Sequence, residues 1–153
     1  MQRTKDYGDI ERFFASKAYA VIGVSSNQRK FGNIVYRTMR DKGFTVYPVH
    51  PTLETVEGDR CFANIASLPA EVTSMITVVP PQVTEDVTAA AIARDMAAIW
   101  MQPGSESDRA ENDLRAAGRT VIHGQCILMF LEPVTSVHAL HRWFRKVVGA
   151  YPH

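Results

Sequence analysis

The chain has 153 residues, 46% of them apolar, with 17 Lys and Arg against 16 Asp and Glu. That length calls for one domain around one core, and a balanced charge gives no global field for nucleic acid or an acidic membrane surface, so any anion site has to be local. No run of ~18 apolar residues spans a bilayer, the opening MQRTKDYGDIERFF has no apolar signal region, and Cys61 and Cys126 lack C-x-x-C spacing, so the expectation is a cytoplasmic protein with reduced thiols.

A short helix is predicted over residues 9–15. Residues 18–24 (AYAVIGV) then form a continuous apolar run broken by Gly23, the pattern of a strand buried on both faces. From Gly32 the apolar positions Ile34, Val35, Thr38 and Met39 repeat at helical spacing, with Asn33 as the expected N-cap and Gly43 as the stop. Residues 44–49 and 74–79 are β-rich runs, each halted by prolines. Between them, residues 55–61 predict a small turn or hairpin and residues 65–68 a single helical turn.

A third helix follows, with Val83, Val87, Ala90, Ala91 and Arg94 on one face and Glu85 and Asp86 in its first turn. Residues 98–101 are a short strand, 107–117 a helix stopped by Gly118, 120–123 a fifth strand, and 136–148 a last amphipathic helix. Five strands alternating with helices predict an α/β fold, a Rossmann-like doubly wound five-stranded parallel sheet forming a single domain over residues 1–153. Ligands of such sheets bind beyond the carboxyl ends of the strands, here the loops beginning at Gly23, Val49, Val79, Met101 and His123.

The loop from Gly23 through Val24, Ser25, Ser26, Arg29 and Lys30 to Gly32 runs from strand to helix, where backbone N–H groups and the helix dipole hold a phosphate. The two hydroxyls add donors and the two cations add charge; the competing view is a solvated loop. A valine at Gly23 or Gly32 is expected to harm ligand binding more than folding. The spacing is not G-x-G-x-x-G, and the second strand ends Val49-His50-Pro51 with no acid to hold a ribose, which counts against a nicotinamide cofactor. Val49 and Pro51, with Val79 and Pro80 after the third strand, form two apolar proline turns able to sandwich a base, or else merely end their strands.

Five motifs stand in register: Gly23-x-Ser25 with a late Gly32, residues 47–51 (YPVHP), 78–81 (VVPP), 100–104 (WMQPG) and 124–127 (GQCI). Together they resemble the family of small stand-alone CoA-binding proteins, similar to the CoA-binding Rossmann domain of the succinyl-CoA synthetase α subunit. The resemblance covers residues 13–131. It implies coenzyme A or an acyl-CoA as the ligand, with the pyrophosphate near Gly23, Ser25 and Ser26 and the adenosine near Val49, Pro51, Val79 and Pro80. His50 stands where such proteins often have Asn, and Gly124 and Gln125 where they often have a charge.

The contact set expected from the loop reading and the resemblance together is Gly23, Val24, Ser25, Ser26, Arg29, Lys30, Gly32, Val49, His50, Pro51, Val79, Pro80, Gln102 and Cys126. A place beside the pantetheine thiol is one hypothesis for Cys126, an inert buried cysteine the other. At 153 residues, no nucleotide-grasping domain of the kind related acyl-CoA ligases need is expected. Neither a Ser-His-Asp set nor metal-ligand spacing is visible, so no catalytic or metal residue is expected. His123 is read as a polar loop residue. A minimal NAD(P)-dependent oxidoreductase and an interaction protein of the same fold are the alternatives, and a protein partner or a second copy of the chain stays open.

Overall fold

The computed structural model describes residues 7–131. The helix expected at 136–148 lies outside them. Strands β1 (Ala18–Ile22), β2 (Val46–Val49), β5 (Val72–Thr77), β6 (Ala98–Met101) and β7 (Thr120–Ile122) make one parallel sheet in the order β2-β1-β5-β6-β7. The small antiparallel pair β3 (Thr55–Val56) and β4 (Asp59–Arg60) is the expected hairpin, and the single helical turn is a 3-10 turn at Ile65–Ser67. Helices α1 (Tyr7–Phe14) and α2 (Phe31–Asp41) cover one face, α3 (Pro81–Ala93) and α4 (Asp108–Ala116) the other.

Strand periodicity sorts the core. Along β1, Tyr19 and Val21 pack with Ile10, Phe13, Val35 and Met39 of α1 and α2, whereas Ala18, Ala20 and Ile22 pack with Ala91 and Leu114 of α3 and α4. Trp100 of β6 is fully buried on the first face, its ring edge-on to Phe13 at 5.2 Å. With helices on both faces, β1 and β6 read as unbroken apolar runs.

Three expectations change. β5 starts and ends two residues earlier than its β-branched run, because pairing decides. The Ala97 amide donates to Thr73 O (2.7 Å) at the start, and at the end Val78 N makes the last bond to β1, at Ile22 O (2.8 Å), before Val79 N goes to the Ser105 hydroxyl (2.8 Å). α3 keeps only part of the predicted face: Ala91 is buried and Val87 packs against the core, but Val83 and Ala90 are exposed and Thr84 and Thr88 are buried in their place. It also begins at Pro81, which puts Glu85 and Asp86 beyond its first turn.

The hairpin is tied to α2 by polar contacts. Tyr36 Oη donates to Asp59 Oδ2 (2.6 Å), and Arg40 donates to the same oxygen (2.8 Å) and to Glu57 O (2.9 Å). Those two donors hold the Asp59 carboxyl below its ordinary pKa, the Tyr36 hydroxyl first and the Arg40 guanidinium second. A depressed carboxylate stabilises the fold above its unfolded pKa and loses that contribution as pH falls through its folded value. Tyr36→Phe is therefore expected to cost about 0.5–1 kcal/mol near neutral pH and less in acid. Urea midpoints of both proteins between pH 7 and pH 3 measure the convergence.

Candidate functional site

Strand order reverses beside β1. The chain goes from β1 to β2 on one side, then crosses to β5 on the other, which leaves a crevice at the carboxyl ends of β1 and β5. Gly23 leaves β1 there with φ +122°, and a Cβ on it would stand 2.2 Å from Val78 O. Gly32 closes the far end of the loop, where a Cβ would stand 2.1 Å from Gly23 O. The two glycines allow three backbone segments to touch. The expectation that a valine here would mainly harm the ligand is corrected: the neighbours it would strike are the chain's own backbone.

Between the glycines the loop is held from inside. Asn33 is not the N-cap. It lies within α2, is 1% exposed, accepts from Ser25 N at its Oδ1 (2.8 Å) and donates from Nδ2 to Ser25 O (2.8 Å). The N-cap position falls to Lys30, with no side-chain cap. An uncapped first turn leaves N–H groups and the positive end of the dipole for an anion. Ser25 Oγ accepts from Asn27 N (3.0 Å), and Arg37 donates to Gln28 O (2.8 Å). Ser26, Arg29 and Lys30 are exposed, and neither cation is in an ion pair among the described residues.

The neighbouring loops line up along the same edge. Ile22 pairs with Val49, so His50 and Pro51 flank the glycine loop on one side, and Val79 and Pro80 flank it on the other. His50 Nδ1 accepts from the amides of Thr52 (3.1 Å) and Leu53 (3.2 Å), the role an Asn oxygen would fill in the same turn. Val24 and Val49 bury their side chains in the two cores, and Pro51 and Pro80 are exposed. Beyond β6, Gln102 is buried: its Oε1 accepts from Ile127 N (2.8 Å) and its Nε2 lies 3.5 Å from Cys126 Sγ. Cys126 is a half-buried free thiol.

His123 departs from its expected role. It is buried, with Nε2 3.2 Å from Glu111 Oε1, an oxygen that also accepts from Arg115 Nε at 2.8 Å. Among the described residues no three His, Cys, Asp or Glu side chains gather as a metal site, and no helix is long and apolar enough to cross a membrane. Sequence reasoning missed Asn33 as a clamp, Ser105 as the strut under Val79, and Arg37 and Glu57 beneath the loop. Their partners are eight or more positions away, so local spacing carries no trace of them.

The pattern of the CoA binding domain matches residues 17–132. The chain belongs to the CoA binding domain family. The expected resemblance over residues 13–131 coincides with that span. Acetate–CoA ligase [ADP-forming] I of Archaeoglobus fulgidus is 32% identical over 114 residues, 69% of this chain and 16% of that protein. The chain thus spans about one sixth of that ligase. It spans far more of the uncharacterized protein YneT of Bacillus subtilis, 26% identical over 112 residues, 73% of this chain and 83% of that one. Among solved structures, a conserved hypothetical protein from Pyrococcus furiosus superposes with TM-score 0.70 at 35% identity, covering 74% of this chain and 97% of that one. The family and fold expectations both stand.

Proposed function

We propose that this member of the CoA binding domain family binds coenzyme A or an acyl-CoA along the carboxyl edge of the sheet. The pyrophosphate sits at the glycine loop against the N-terminus of α2. The adenine lies between the Val49–Pro51 and Val79–Pro80 turns, near His50, and the pantetheine arm runs toward Gln102 and Cys126. The observation that carries this is the uncapped start of α2 facing the crevice where Gly23, Gly32 and Val78 converge. The two flanking proline turns supply apolar surface for a base. The chain acts as a carrier, sensor or partner subunit in the cytoplasm and performs no chemistry of its own on the ligand.

Thermal shift and calorimetry with CoA, acetyl-CoA and NADH side by side test the reading. Ligand at 100 times its dissociation constant stabilises the folded state by about 2.7 kcal/mol, which raises the melting temperature by roughly 5–10 °C for a domain of this size. CoA or acetyl-CoA is expected to give that shift and NADH none. A shift with NADH alone makes the crevice a dinucleotide site, and no shift with any of the three leaves an interaction protein.

A further inference from the structure

The hairpin turn between β3 and β4 has two residues, Glu57 and Gly58, with φ of +54° and +81°. Such a turn favours Asn-Gly or Gly-Gly, because both central residues occupy the left-handed region. Glutamate stands there against local preference. Its side chain is not at the surface either, being 6% exposed. Its Oε1 accepts from Asn33 Nδ2 (3.0 Å) and from Arg37 (2.8 Å). Asn33 clamps Ser25, and Arg37 holds Gln28 O. Both ends of the Ser25–Gln28 stretch therefore lead back to one carboxylate on another element.

We propose that Glu57 is the positioning residue of the phosphate loop. It acts through Asn33 and Arg37 and touches no ligand. Asn33 has two Nδ2 hydrogens and two acceptors for them, Ser25 O and Glu57 Oε1. Turning the amide over would set its oxygen against both acceptors and its NH2 against Ser25 N. The carboxylate thus fixes the orientation in which Ser25 N is bound. Arg37 neutralises Glu57, so the carboxylate anchors the loop without setting an unpaired negative charge under a phosphate. The hairpin thereby joins the ligand site although it lies off the main sheet.

This rests on the CoA reading, and Glu57→Asn separates the two. Asn-Gly suits the turn better than Glu-Gly, but the shorter side chain does not reach Asn33 or Arg37. Glu57→Gln keeps an acceptor for Asn33 and serves as the rescue. By calorimetry, E57N is expected to weaken CoA binding roughly 5–20-fold and E57Q no more than about threefold, with melting temperatures within a few degrees of the unaltered protein. Without ligand, the Ser25 backbone amide and the Asn33 side-chain amide are followed by 15N NMR. In E57N both are expected to shift and Ser25 N–H to exchange at least roughly tenfold faster, and in E57Q to stay near their original values. Should E57N not fold, Arg37→Met, which leaves the turn intact, is expected to free the Gln28 arm and weaken CoA roughly threefold. Unaltered Ser25 and Asn33 signals in E57N, or CoA affinity equal to that of the parent, overturn the inference. If the parent protein itself ignores CoA, the functional reading fails, and the NMR comparison still decides the role of Glu57.

Discussion

Gly32→Val is expected to destabilise the fold itself rather than only empty its ligand site. The first atom of any side chain at Gly32 would stand 2.1 Å from Gly23 O and 2.6 Å from Gly23 C. Relief would need Gly23 to move, but a Cβ position on Gly23 already lies 2.2 Å from Val78 O, and Val78 N is bonded to Ile22 O at 2.8 Å. Three stacked backbone segments leave no flexible side chain to yield. Overpacking of this kind costs about 3 kcal/mol or more, a large part of the roughly 5–15 kcal/mol that holds an ordinary domain together. A fall in melting temperature of at least roughly 6–12 °C follows for a domain this size. Gly118→Ala is the control: its φ is +77° but nothing lies within 4 Å of a Cβ there, so only backbone strain remains, about 1 kcal/mol. A Gly32→Val protein that melts like its parent and loses only CoA would show that the helix can back away from β1, contrary to this geometry.

The same glycines show where sequence reading reached its limit. Their place after the first strand was legible, because an apolar run ending in Gly followed by a helical repeat is a local pattern. Sheet, hairpin and both helical layers were legible for the same reason. What the glycines are close to was not, since Val78 is 55 positions from Gly23 and enters only when β5 pairs with β1. Asn33 illustrates a second limit. An Asn next to the predicted start of a helix is a reasonable cap, yet its amide is spent on a loop eight residues back and on Glu57 in the hairpin. His123 illustrates a third, for its Glu111 partner lies on a helix that packs beside it only after β6 and β7 have paired. The two cations, expected to neutralise a phosphate, stand exposed and outside any ion pair among the described residues, so their use is a matter of the ligand alone.

Those cations, Arg29 and Lys30, give the test that separates CoA from other adenine nucleotides. Both are exposed, and the nearby Arg37 is already committed to Gln28 O and Glu57, which leaves them as the charge in this loop free for a phosphate. CoA differs from dephospho-CoA by one 3′-phosphate on the ribose, so a loop selective for CoA has to reward that group. A charge-assisted hydrogen bond contributes about 1.5–3 kcal/mol when shielded, and solvent exposure reduces it to about 1 kcal/mol, or a roughly 5–10-fold preference. The double change Arg29→Ala with Lys30→Ala is expected to weaken CoA by that factor and leave dephospho-CoA nearly untouched. Because the partners are exposed, raising the salt from 50 to 500 mM should close most of the gap in the parent protein and change little in the variant, as the screening length falls from ~14 Å to ~4 Å. Calorimetry on the four combinations of protein and ligand reads the result. Equal losses for both ligands would assign the cations to the pyrophosphate, and no loss for either would return them to the solvated surface.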